Sequence, residues 1–125
     1  MCAEKVDNSQ EIGKFGEKIA SNYLYKNNYK IVEKNFKCKY GEIDIIAYDK
    51  KELVFIEVKT RRSKRYGTGI NSIDTIKQKH LYKTAEYYLY KKKLNKDIRI
   101  DAIEISLQRG LINLKHYKNI ILDKP

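Results

Sequence analysis

The sequence predicts an α/β fold: one mixed sheet with helices packed against it, in the order α-β-β-β-α-β-β. Three observations predict it. Two segments, near residues 8–27 and 72–92, repeat apolar residues at helical spacing. Between them lie two short runs rich in Ile, Val and Phe that read as a hairpin. Two more strand-like runs follow the second helical segment. With 125 residues and its single proline at Pro125, the chain reads as one domain over 1–125, with flexible ends at 1–8 and 123–125.

Each element has its own signal. Asn8 or Ser9 can cap a first helix reaching about Asn27, whose stripe is Ile12, Gly16, Ile19, Ala20, Tyr23 and Leu24. Asn27-Asn28 stops it. Tyr29 to Lys37 alternates well enough for a strand, and Lys39-Tyr40-Gly41 turns the chain. Glu42–Tyr48 and Leu53–Thr60 form the hairpin around Asp49-Lys50-Lys51-Glu52, a turn without the usual glycine. A polar basic loop, Arg61 to Gly69, leads to a second helix over Ser72–Lys92. Its inner face is Ile73, Leu81, Thr84, Ala85 and Tyr88. Asp97–Ser106 and Leu111–His116 complete the sheet, joined at Arg109-Gly110.

Charge narrows the function. Lys and Arg outnumber Asp and Glu by 27 to 16, for a net charge of +11. Coding bias toward Lys accounts for part of that excess, but not for the shortage of acids. A polyanion is the expected partner: nucleic acid first, an anionic membrane surface second. The second is disfavoured, because neither helix is a strongly basic amphipathic one with a wide apolar face. No apolar run approaches the ~20 residues of a membrane span. Met1 to Gln10 lacks a signal-peptide core. Cys2 and Cys38 form neither a metal-spaced cluster nor a disulfide framework. A cytoplasmic setting with reduced thiols is expected.

The hairpin carries the chemistry. Centred between Lys50 and Lys51, it pairs Ile43 with Val58, Ile45 with Ile56 and Ala47 with Val54 on one wholly apolar face. The other face pairs Tyr48 with Leu53 and Ile46 with Phe55, then turns charged with Asp44 opposite Glu57 and Glu42 opposite Lys59. Facing carboxylates repel across a sheet. A divalent cation removes that penalty, and Mg²⁺ suits one or two carboxylates completed by water and phosphate oxygens. Lys59 shares the face of Glu57. Two carboxylates and a lysine beside a basic surface suit metal-assisted phosphodiester hydrolysis, the lysine orienting water or stabilising developing charge. The alternative is a pair of cross-strand ion pairs on a solvated face. The apolar residues bracketing the charges favour the metal site, since they imply partial burial.

The segment "GEIDIIAYDKKELVFIEVKTR", Gly41 to Arg61, resembles the core of the PD-(D/E)xK nuclease superfamily. With "GKFGEKIASNYL", "YGTGINSIDTIKQKHL" and "IRIDAIEI", nearly the whole chain is similar to the YraN family of small bacterial proteins. These are described as predicted endonucleases similar to archaeal Holliday-junction resolvases. The resemblance implies a restriction-endonuclease-like fold and a Mg²⁺ or Mn²⁺ cofactor. It implies Asp44, Glu57 and Val58 at the metal and Lys59 as the catalytic lysine. The superfamily's Pro-Asp is Ile43-Asp44 here.

Other residues fit the same site. Glu17 borders the first helix's apolar stripe between the small residues Gly13 and Ala20, and matches a metal-site Glu of related resolvases. An exposed Glu paired with a nearby Lys is the alternative. Lys77 falls toward the inner face of the second helix. Gln78 with Tyr82 resembles the Gln-x-x-x-Tyr element of RecB-like nucleases. Lys59, Arg61, Arg62, Lys64 and Arg65 place five cations in seven residues, followed by Tyr66. With Lys77 and Lys79 these are the expected nucleic-acid contacts, forking onto phosphates or stacking on unpaired bases. His80 and His116 read as structural or exposed, and the tyrosines as core rim and surface. The expected activity is a metal-dependent endonuclease acting on DNA, selective for branched structures. The alternative is an inactive or complex-dependent nucleic-acid-binding module on the same fold. A symmetric homodimer would explain paired cuts, but nothing in the sequence requires it.

Overall fold

The computed structural model describes residues 8–62 and 73–121. Helix α1 (Asn8–Lys26) precedes strands β1 (Tyr29–Cys38), β2 (Gly41–Asp49) and β3 (Glu52–Arg61). Helix α2 (Thr75–Lys92), β4 (Arg99–Gln108) and β5 (Leu111–Tyr117) follow. The element order is the expected one. The five strands lie in the sheet in chain order. All neighbours are antiparallel except β3 and β4. That parallel pair needs a crossover, and α2 supplies it.

The sheet is covered on both faces. Ala20 and Leu24 of α1 pack with Ile45, Ala47, Val54, Ile56, Ile103 and Ile105. Leu81, Ala85, Tyr88 and Leu89 of α2 pack with Ile46, Leu53, Phe55, Ile100 and Ala102. The period-2 alternation of β3 explains the split, sending Val54 and Ile56 to the α1 side and Phe55 to the α2 side.

Helix α2 starts later than Ser72. Asp74 caps it, its carboxylate accepting from the Lys77 N–H at 2.8 Å. Ile73 therefore lies ahead of the helix and still buries its side chain in the α2-side core. At the other end Lys93 turns left-handed, and its N–H reaches the Leu89 and Tyr90 carbonyls. The Asp49–Glu52 turn lacks glycine, so Lys50 takes φ 59°. No helix among the described residues is long and apolar enough to cross a membrane.

The hairpin register is as expected from Asp49–Glu52 through Ile45–Ile56, and there the ladder stops. The expected Ile43–Val58, Asp44–Glu57 and Glu42–Lys59 pairs are absent from it. Ile43 also leaves the face of Ile45 and Ala47 and buries itself in the α2-side core with Phe36. The cause lies in the neighbouring strand. Between the Lys34–Ile45 and Phe36–Ile43 pairs, Asn35 stands opposite Asp44 with φ 55°. A left-handed residue inside a strand reverses the side-chain alternation, and β2 follows it.

Candidate active site

The break in the ladder builds the site. Beyond Ile45–Ile56 the strands separate, and the Asp44 carboxylate takes the place of a backbone acceptor. Its Oδ2 accepts from the Val58 N–H at 2.8 Å. Asp44 is also within hydrogen-bonding reach of Glu57, which is 6 % exposed. The two carboxyls meet although they do not form a ladder pair. Burial, and then the charge of Glu57, push Asp44 up to about 7, while the Val58 bond pulls the other way. Asp44 therefore takes up a proton close to neutrality.

Helix α1 contributes Glu17. The close approach is made at Gly16, not at Gly13: a Cβ on Gly16 would overlap the Thr60 side chain, whereas Gly13 has nothing within 4 Å. Burial, then the charge of Asp44, raise the Glu17 carboxyl above its ordinary value, and a hydrogen bond with Asn35 opposes them. Glu17 is thus a neighbour of Asp44, and its polar partner is Asn35. Asn35 was not singled out from the sequence. Its signal was a weak strand former in the middle of a strand.

The cations divide. Lys77 reaches Glu57, Nζ to Oε2 at 3.3 Å. Lys59 is half-buried on β3 and pairs by register with Glu104 of β4. Arg61 turns to Glu104 as well, Nε to Oε2 at 3.7 Å, and the Tyr117 hydroxyl donates to the same carboxylate at 3.3 Å. Glu104, 3 % exposed, is an acid missed from the sequence; its signal was a charge within the largely apolar run Ile100–Ile105 of β4. Arg62 and Lys79 are exposed. Gln78 points elsewhere: its Nε2 donates to the Ile73 carbonyl at 3.2 Å and closes the helix N-terminus. Lys64, Arg65 and Tyr66 lie outside the described residues. A cleft of about 320 Å³ lined by Ile12, Gly13, Glu17, Val58, Lys59 and Thr60 continues to Arg61 and Arg62.

Among the described residues, no three His, Cys, Asp or Glu side chains converge as a ready-made metal cage. Asp44 and Glu57 supply two carboxylates, the number Mg²⁺ takes when water and phosphate complete its shell. The raised Asp44 carboxyl marks the crowding of negative charge that a cation would relieve. The donor set fits a substrate-completed Mg²⁺ or Mn²⁺ site. Val58 serves through its N–H, which holds Asp44.

A second polar cluster lies on the α1 side. Asp101, fully buried, accepts from Arg99 Nη2 at 2.9 Å and from the Asn119 N–H at 2.9 Å. His116 Nε2 lies 2.7 Å from Asp101 Oδ2, and the Tyr23 hydroxyl is 2.9 Å from His116 Nδ1. Burial pushes Asp101 up, but the bonds from His116, Arg99 and Asn119 outweigh it and hold the carboxyl low. Arg99 also binds Asp49 at 2.9 Å and Glu52 at 2.7 Å, tying β4 to the hairpin turn. Of the two settings expected for His116, structural or exposed, exposure is excluded: its side chain is 5 % exposed.

The model of the uncharacterised protein family UPF0102 matches residues 16–105. The chain belongs to that family. A UPF0102 protein of Clostridium botulinum (strain 657) is 48 % identical over 101 residues, 79 % of this chain and 82 % of its own. Another from Caldanaerobacter subterraneus is 43 % identical over 115 residues, 91 % of this chain and 94 % of its own. The solved structure of SSO0001 gives a TM-score of 0.39 at 18 % identity, covering 94 % of this chain and 55 % of that one, too distant to carry any argument. The UPF0102 match contains Glu17, Asn35, Asp44, Glu57, Lys59, Lys77 and Glu104.

Proposed function

We propose that this UPF0102 protein is a metal-dependent endonuclease of the PD-(D/E)xK type that cuts DNA, with a preference for branched structures. The observation that carries the reading is the carboxyl pair of half-buried Asp44 and buried Glu57 where the β2–β3 ladder ends, with Lys77 on Glu57 and Lys59 on the same strand. The net charge of +11 supplies attraction for a polyanion.

Each residue has work to do. Asp44 and Glu57 would hold Mg²⁺ or Mn²⁺. When bound, such an ion polarises a phosphate oxygen and acidifies water. Val58 fixes one oxygen of Asp44, so the carboxylate is aimed before anything binds. Lys77 balances Glu57 in the absence of a cation. Lys59 stands one alternation beyond Glu57, where an ammonium can meet a phosphate oxygen or orient water. Arg62 and Lys79 offer exposed charge to the flanking phosphates.

The test is cleavage of four-way and flapped DNA by purified protein with Mg²⁺ or Mn²⁺. Asp44→Ala and Glu57→Ala should each abolish cleavage and keep most of the binding. Cutting by both variants at the wild-type rate overturns the assignment. Wild-type binding without turnover would leave a non-catalytic nucleic-acid module instead.

A further inference from the structure

Away from the carboxyl pair, three tyrosines gather where the β1–β2 turn meets α2. Tyr87 and Tyr90 stand three residues apart on one face of α2, and Tyr40 comes from the turn. The ring centres of Tyr40 and Tyr87 are 6.2 Å apart, and those of Tyr87 and Tyr90 6.5 Å. The groove they form holds about 430 Å³ and is completed by Lys39, Lys83 and Glu86. Lys39 Nζ lies 5.3 Å from the Tyr40 ring centre, and Lys91 Nζ lies 6.0 Å from that of Tyr87.

Core packing accounts for part of this cluster. Tyr87 touches Phe36, at 6.4 Å between ring centres. It does not account for Tyr90, which is 80 % exposed, at a helix position where Lys or Ala would serve the helix better. The groove combines the exposed rings of Tyr40 and Tyr90 with Lys39 and Lys83 against Glu86, and Lys91 adds its charge over Tyr87. Cations select a polyanion, and rings select flat groups free to stack. A duplex hides the faces of its bases, and an acidic peptide offers charge without flat rings. A single strand offers both.

Its place in the fold fits a strand that continues to the carboxyl pair. Gly41 follows Tyr40 and packs against α2, where an added Cβ would lie 3.2 Å from Thr84 Oγ1. From Gly41, β2 reaches Asp44 in three residues, roughly 10 Å. Along α2, Lys77 and Tyr87 are about 15 Å apart. That is a span of a few nucleotides. We propose that the Tyr40–Tyr87–Tyr90 groove binds unpaired bases of a single-stranded segment adjoining the site at Asp44 and Glu57. The continuation to the carboxyl pair rests on the nuclease reading; the groove itself does not.

The experiment measures fluorescence anisotropy of labelled oligothymidylate of about 12 nucleotides and of a blunt duplex of similar length, in EDTA. Tyr90 is exposed enough that its replacement should leave the fold intact. Tyr90→Ala should weaken single-strand binding about tenfold and change duplex binding less than about twofold, while Tyr90→Trp keeps it. Equal single-strand affinity of Tyr90→Ala and wild type overturns the groove. So does an equal loss on both probes, or displacement by polyglutamate as effective as by unlabelled oligothymidylate. Wild type that binds duplex but no single strand sinks the groove and spares the nuclease reading. A Tyr90-dependent single-strand affinity beside normal cutting by Asp44→Ala and Glu57→Ala does the reverse.

Discussion

Replacing Asp44 by Asn should make the protein more stable, and increasingly so as pH rises. The oxygen that accepts from Val58 survives in the amide, and the new NH₂ can donate to Glu57. What disappears is a half-buried negative charge beside another carboxylate. A carboxyl raised from 3.8 to about 7 corresponds to about 4 kcal/mol when fully ionised. The sign follows from linkage. Below about pH 4 folded and unfolded wild-type chains both hold the proton, and nothing is lost. Between about 4 and 7 the unfolded chain releases it first, so stability falls as pH rises; above 7 the whole penalty is present. Asp44→Asn lacks this limb. Urea unfolding at about pH 5 and about pH 8 should show its advantage over wild type growing by about 2 to 3 kcal/mol. Adding Mn²⁺ at the higher pH should stabilise wild type and leave the variant unchanged. An advantage that is flat with pH, or a variant less stable than wild type, would refute the crowding of Asp44 by Glu57.

Further outcomes follow from the packing. Gly16→Ala should lower stability by about 1 to 2 kcal/mol, although helix propensity alone predicts a gain of about 1, because its Cβ collides with Thr60; a thermal melt decides the sign. The same variant should weaken Mn²⁺ binding in calorimetry, since it pushes Glu17 away from Asp44. Asp101→Asn should cost about 1 to 3 kcal/mol, since Arg99 loses its fully buried partner while keeping Asp49 and Glu52. Because Asp101 is held low, wild type keeps that contribution above about pH 4 and loses it as pH falls through the folded value; acid melts of the variant should lack that drop.

Much of this molecule was legible in the sequence because its signals are local. The hairpin register followed from apolar alternation around a two-residue turn, and it holds wherever the alternation holds. Alternation cannot foresee its own interruption. Asn35 reverses the face of β1 from a neighbouring strand, so Ile43 was expected on the wrong side and the ladder was expected to run too far. Asp44 and Glu57 still meet, because the separating strands bring side chain to side chain where backbone pairing ends. Gln78 shows the opposite failure: its spacing is right, but the short reach to the Ile73 carbonyl claims it for the helix end. Glu104 and Asp101 showed as charges in an apolar strand, but nothing there named their partners. Arg61 and His116 reach them from neighbouring strands, and no periodicity encodes such meetings; Arg99 alone is close in sequence, two residues from Asp101 on the same strand.

The bond from the Val58 N–H to Asp44 gives the site a built-in reporter. Amides within a ladder exchange with solvent at the pace of strand opening. Val58 is held by a carboxylate whose charge changes with proton or cation, so its exchange should follow the state of the site rather than that of the sheet. A single backbone resonance would then read occupancy without substrate, label or turnover.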